Sequence, residues 1–486
     1  MTGDRDNYGI TLAGGVTGGQ VLQTSLQRAV AEFEDAFVGL TLPPEAAAFK
    51  GQFSALLPAF EAARLASSQA SEVARALYLH AASQLCYVDR EGERPLQEAL
   101  LQPAEPLPWV RVDLPGAGSL VPRADYAGRL YVGRELAQLA SELDRARFAT
   151  RAAVSALTKV GERAAHDGGL SLRGERFVLL GAAAELSPVY TLLEAGADVL
   201  WLDRDKPPID RLLEPRLSGS LSYVDRGVDL LREPAALRAT ILDFAGGAPV
   251  HLGLYAFATG SACPLRLSLG MTELVRSLPS ALVKSIAFLL SPTSVSAIAP
   301  EDAACADRRA ESASKVRRAL VRAGQLELGH RSHGERRLSR AVISQQGAAY
   351  QVAEYVAKRL AAEAFVEFGS ALLGTGSVAV SANMAPVTAT RSLASPMLEA
   401  AILGAPSFDI LIAPASTSRA ISTLLLLHDH LWTARHDSAL ARRDALFARQ
   451  FHGGVHAQPY ALEGIIRVAA LKGMARRPML ALELLR

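Results

Sequence analysis

Cysteine is scarce in this chain: Cys86, Cys263 and Cys305 stand far apart and none belongs to a CxxC pair. That scarcity argues against a disulfide framework and a thiolate metal cluster, and it fits a reducing cytoplasm. An excess of charge of one sign is also missing. The 51 basic and 49 acidic residues leave a formal charge of +2, so there is no general field to attract nucleic acid or an anionic membrane. No apolar run approaches the ~20 residues of a spanning helix, and the polar start Met1-Thr-Gly-Asp-Arg-Asp-Asn7 has no h-region, so a protein that is not exported is expected. No repeat of fixed period and no low-complexity tract suggests a solenoid or a tail.

What is present is apolar side chain. Half of the 486 residues are hydrophobic and 21% are charged, enough for a sizeable core and against global disorder. Residues 1–100 read as a helical N-terminal region, with Val21, Leu22, Ser25, Leu26, Val30 and Phe33 at helical spacing, a break at Leu42-Pro-Pro44, and a second stretch from Val73 to Leu85. Residues 101–170 read as a linker and connecting helix. Pro103, Pro106, Pro108, Pro115 and Pro122 interrupt regular structure there, Pro115-Gly-Ala-Gly118 signals a loop, and a helix follows over about 133–163. From 171 to 486, strand-like runs alternate with helical patterns: Phe177 to Leu180, Asp198 to Leu202, Pro249 to Phe257, Ser285 to Leu290, Ser377 to Ser381 and Asp409 to Ile412. This alternation predicts an α/β fold, a parallel sheet wrapped by helices on both faces. The charged stretch from Pro300 to Arg340 is expected as an exposed helix and loop; its arginines from Arg331 to Arg340 read as a solvated helix face, the alternative being a site for a phosphorylated or polyanionic ligand.

The segment Arg176-Phe-Val-Leu-Leu-Gly-Ala-Ala-Ala-Glu-Leu-Ser-Pro188 reads as strand, tight turn and helix start, and Gly196-Ala-Asp-Val-Leu-Trp-Leu-Asp203 as the next strand. Asp203 follows Gly181 by 22 residues, close to the ~20 that separate a phosphate-binding turn from the acidic residue holding an adenosine ribose. Backbone N–H groups at such a turn face a phosphate.

Several later segments fall in the order used by short-chain dehydrogenase/reductases, and the resemblance covers roughly residues 174–404. Gly227-Val-Asp-Leu-Leu231 resembles the end of that family's third strand, with Asp229 where the adenine amino group is bound. His251-Leu-Gly-Leu-Tyr-Ala-Phe-Ala-Thr-Gly260 occupies the place of the fourth strand, and Ser285-Ile-Ala-Phe-Leu-Leu-Ser-Pro-Thr-Ser294 resembles the fifth. Gln346-Gly-Ala-Ala-Tyr350 with Ala357-Lys-Arg-Leu-Ala-Ala-Glu363 resembles the Tyr-x-x-x-Lys helix, and Val378-Ala-Val-Ser-Ala-Asn-Met-Ala-Pro-Val-Thr388 the sixth strand and its turn. The resemblance implies a Rossmann-type doubly wound sheet, a bound NAD with NADP possible, and a homodimer or homotetramer. It assigns the cofactor to Gly181, Ala183, Glu185, Leu186, Asp203, Arg204, Asp229, Leu230, Thr259, Gly260, Pro386 and Thr388. Asp203 favours NAD, because a 2′-phosphate would meet like charge; Arg204 beside it leaves NADP open.

The catalytic pair departs from the family pattern. With Leu360-Ala-Ala-Glu363 as anchor, Gln346 stands at the tyrosine position and Tyr350 at the lysine position; Glu185 and Ser187 replace two glycines of the turn. A glutamine donates a hydrogen bond but is no acid at neutral pH. Candidate catalytic residues are therefore Ser291 and Ser294 at the fifth strand, Gln346, Tyr350, Tyr355 (with Lys358 or Arg359 on the same helix face) and His456. His428, His430, His436, His452 and His456 crowd the last sixty residues. One reading gives them a metal with Asp429 or Asp437; the one preferred here gives none and lets His452, His456 and Tyr460 line a substrate pocket. The expectation is an NAD(P)-dependent oxidoreductase acting on a small or medium apolar substrate with a non-standard proton donor. The rivals are a catalytically decayed Rossmann scaffold with a binding or regulatory role, and a nucleotide-assisted isomerase or dehydratase.

Overall fold

Strands buried on both faces need apolar side chains in both directions, and Phe177-Val-Leu-Leu180 supplies them. The computed structural model describes residues 8–212, 214–258, 263–329, 331–333, 336–373, 378–390, 396–432 and 438–480. Its central sheet has seven strands: β1 (Trp109–Pro115), β2 (Arg176–Leu180), β3 (Asp198–Leu202), β4 (Ser218–Val224), β5 (Val250–Leu254), β6 (Val283–Leu290) and β7 (Ala379–Met384), in spatial order β7-β6-β5-β2-β3-β4-β1. Strands β2 to β7 run parallel, and β1 lies antiparallel on β4.

Alternation along β2 assigns its two faces. Val178 and Leu180 enter one core with Leu22 of α1 (Gly18–Glu32), Phe53 of α2 (Ala46–Ala66) and Leu77 of α3 (Ala70–Ser83). Phe177 and Leu179 enter the other, with Leu157 of α4 (Arg151–Asp167). The first face is completed by α5 (Cys263–Ser277) and by α6, made of Gly347–Gln351, a π-helical stretch Val352–Leu360 and Ala361–Leu373 with a kink at Phe368; the second by α7 (Ala415–Leu431). The result is a three-layer α/β sandwich in which the N-terminal helices share the core of the sheet. No helix among the described residues is long and apolar enough to cross a membrane.

Four expectations need correction. The proline-rich segment is not only a linker: residues 109–114, free of proline, form β1. Its edge position leaves one side unpaired and Pro115 ends it, where proline is tolerated. The strand β4 has no apolar run, because Ser218, Ser220 and Ser222 alternate with Leu221 and Tyr223; all three serines are buried. Residues 409–412 join no strand of the sheet, and the pairing nearby is the two-residue match of Thr388–Ala389 with Ala413–Pro414. The arginines near 331–340 sit on an antiparallel hairpin, Arg331–His333 against Arg336–Leu338, and not on a helix. The N-terminal region also holds strands Gly9–Leu12, Leu85–Asp89 and Gly92–Pro95, which form a small antiparallel sheet.

Candidate functional site

In an open parallel sheet, ligands settle at the carboxyl ends of the strands where the chain reverses its direction of winding. Here that point lies between β2 and β5. Gly181 follows β2 with φ +90°, and a Cβ there would stand 2.2 Å from the backbone nitrogen of Ala256. The N–H groups of Tyr255 and Ala256 both donate to the Leu180 carbonyl at 2.8 Å, so the two strand ends are tied together where a crevice would open. Burial raises the pKa of Asp203, and its carboxylate accepts the N–H of Ala183 at 2.9 Å. The phosphate-facing N–H and the ribose-binding carboxylate of the expected site are thus bonded to each other.

Behind the turn, the N-terminal region closes the space. The Ile10 N–H donates to the Leu231 carbonyl at 2.7 Å, and Ile10, Leu100, Leu180, Leu230 and residues of α5 enclose a cavity of only about 10 Å³. Asp229 accepts the Leu231 N–H and lies 3.7 Å from Arg204. The Glu185 carbonyl accepts from Arg419 of α7, and Leu186 is partly exposed beside it. The helix after the turn, Val189–Glu194, is six residues long. Thr388 bonds to the Pro386 carbonyl and to Ser418, while Thr259 and Gly260 lie outside the described residues.

Three of the six candidate catalytic residues meet around Thr293, which had not been singled out. The Thr293 hydroxyl lies 2.8 Å from Ser291 Oγ and 3.4 Å from the Tyr350 hydroxyl, and it accepts from Gln346 Nε2 at 3.0 Å. Burial and the nearby Glu354 raise the pKa of Tyr350, so it remains a phenol at neutral pH. Ser294 turns away with its hydroxyl buried and unbonded, and its carbonyl accepts from Ser339. Tyr355 points out of this group into the N-terminal helices, where it donates to Glu61 at 2.6 Å. Lys358 instead pairs with Glu354, so no Tyr–Lys couple forms on α6.

The histidines separate. His452 and His456 are fully buried and stack at 4.9 Å. His452 accepts the Gly454 N–H at Nδ1, which places its proton on Nε2 toward Asp302 at 3.0 Å; His456 lies between Ser296 and Gln450. The Tyr460 hydroxyl is buried. His428 stacks on Trp432, and Asp429 bonds to Ser381 and Asn383 of β7. His430 leaves its sequence neighbours and joins His251 and Glu175 at the amino ends of β2 and β5, the ligand atoms lying within 4.8 Å of one another. A His-His-carboxylate set suits a zinc-type ion; here Lys284 at 2.5 Å neutralises Glu175 instead. His436 and Asp437 lie outside the described residues.

A cavity of about 630 Å³ opens between α2, α6 and the segment Phe447 to Gln450. Its inner wall holds Arg64, Arg359, Glu363 and Arg443. Arg64 bonds bidentately to Glu61 and reaches Glu363 at 3.0 Å. A faint signal was readable: Glu61 and Arg64 break the apolar face of α2 at i,i+3. Their partner Glu363 lies 299 residues further along than Arg64.

The fold and site define a three-layer α/β protein with a closed strand-end crevice and a separate arginine-lined cavity. The sequence matches no protein-family model and no curated protein.

Proposed function

We propose that the chain is a Rossmann-type scaffold that acts by binding, its dinucleotide crevice filled by its own N-terminal region. The Rossmann part of the reading is supported by strand order: counted from β2, the parallel strands run 3-2-1-4-5-6, the order of dinucleotide-binding sheets. The observation that carries the binding role is the tie at the crevice, where Tyr255 and Ala256 bond to Leu180 and Ile10 and Leu100 occupy the space beyond. A pyrophosphate would have to displace both, and it would also have to release Ala183 from Asp203.

Titration with NADH and with NADPH, followed through the fluorescence of Trp201 beside the turn, tests this. No saturable change is expected up to about 1 mM, the upper end of ordinary substrate affinities. A saturable response below that concentration overturns the proposal and favours the second reading, an NAD(P)-dependent oxidoreductase acting on a small apolar substrate. The hydroxyl group of Ser291, Thr293 and Tyr350 favours that alternative.

A further inference from the structure

A buried charge is tolerated when it is paired, and an unpaired one marks a place where something else supplies the partner. Behind the 630 Å³ cavity lie three guanidinium groups, Arg64, Arg359 and Arg443, with residue exposures of 1%, 5% and 6%, and two carboxylates, Glu61 and Glu363, both at 0%. The inner wall therefore carries one surplus positive charge. Arg64 takes most of both carboxylates, through bonds of 2.7 to 3.0 Å. Arg443 makes only long contacts, to Glu363 at 3.8 Å and to Asp444 at 3.9 Å. Arg359 makes no hydrogen bond or ion pair among the described residues; its Nε is buried without a hydrogen-bond partner, as is that of Arg443.

Arg359 is nonetheless held firmly. Its guanidinium carbon sits over the Phe447 ring, 3.9 Å from the centroid, a cation–π contact that holds the group in place. Arg359 also belongs to the π-helical stretch Val352–Leu360, a rare backbone form that recurs at functional sites. At the mouth two of the three carboxylates have a cation opposite them. Arg336 pairs with Asp444 at 3.1 Å and Arg337 with Asp307 at 2.6 Å, while Glu301 accepts the Arg151 N–H at 3.1 Å. Between mouth and inner wall the lining is largely apolar, with Leu65, Ile298 and Phe447 among it. A cavity of this size is within the range of small-molecule sites.

We propose that this cavity binds a small organic monoanion, a carboxylate on an apolar body, with the carboxylate held by Arg359 and Arg443 and the body against Leu65, Ile298 and Phe447. One surplus charge calls for a singly charged head, and the planar forks fit a carboxylate edge-on. This assignment does not depend on whether the strand-end crevice is closed. Burial also lowers the pKa of Arg359, against the opposing pull of Glu61 and Glu363.

Calorimetric titration of the full chain with octanoate, octanol and inorganic phosphate, combined with thermal unfolding, decides the matter. Octanoate is expected to bind saturably and raise Tm, while octanol and phosphate bind at least tenfold more weakly. The variant Arg359→Gln leaves two guanidiniums against two carboxylates, so its ligand-free Tm should match or exceed the parent value while octanoate affinity falls at least tenfold. Arg443→Gln provides an independent second variant with the same expected loss. Absence of octanoate binding at millimolar concentration overturns the proposal, and so does phosphate binding as tightly as octanoate. A lowered ligand-free Tm in Arg359→Gln with octanoate affinity unchanged would mean that Arg359 serves only the fold.

Discussion

Replacing Gly181 by alanine probes the closed crevice directly. The backbone there has φ +90°, a conformation that costs an L-residue roughly 1–2 kcal/mol. The added Cβ would stand 2.2 Å from the Ala256 nitrogen and 2.3 Å from its Cα, far inside contact distance. Backbone atoms cannot swing aside as a side chain would, so β2 and β5 must part at their carboxyl ends; overpacking of this kind costs typically ~1–3 kcal/mol. The Tyr255 and Ala256 bonds to Leu180 lengthen in the same movement. Together the effects predict a loss of about 2–5 kcal/mol for Gly181→Ala. Urea unfolding followed by circular dichroism reads it as a lower midpoint at unchanged slope. A variant within about 0.5 kcal/mol of the parent, the range of ordinary surface substitutions, would refute the reasoning: Ala256 would then not sit on Gly181, and the crevice would have room for a pyrophosphate.

Two further predictions concern buried polar groups. Tyr355→Phe removes the 2.6 Å bond to Glu61; hydrogen bonds to charged groups contribute ~1.5–3 kcal/mol, so the urea midpoint should fall by about that amount, and an unchanged midpoint would place Tyr355 outside the helical core. His251, bonded to Glu175 at 2.9 Å, has its pKa lowered by burial from 6.5 to about 4. Between those values the unfolded chain binds more protons than the folded one, so stability falls as the pH drops from 6.5 towards 4. At 1.36 kcal/mol per unit the span is on the order of 3 kcal/mol. His251→Gln should flatten this part of the pH–stability curve, and a variant with the parental slope would assign the loss to other groups.

Much of the core was legible because burial of a parallel strand on both faces leaves a local mark. Phe177 to Leu180 and Asp198 to Leu202 fall on β2 and β3, and Ser285 to Leu290 lies within β6. β4 was illegible for the same reason, since small buried serines, among them Ser220 with its Oγ 2.6 Å from Asp198, stand where an apolar run would mark a strand. At the candidate site, Ser291, Gln346 and Tyr350 of the six expected residues lie together, while Thr293 at their centre carries no pattern that distinguishes it from a loop residue.

By itself the sequence determined the layered α/β class, the parallel alternation from residue 171 onward and the absence of a Tyr-x-x-x-Lys pair, all of which are written in local spacing and residue type. Only the tertiary structure decided what fills the strand-end crevice and where the uncompensated charge lies. Ile10 closes a space beside Leu180 and Leu230, and Arg64 meets Glu363 across 299 residues. Burial and ion pairing depend on distance in space, and residues so far apart in sequence leave no periodic trace of meeting.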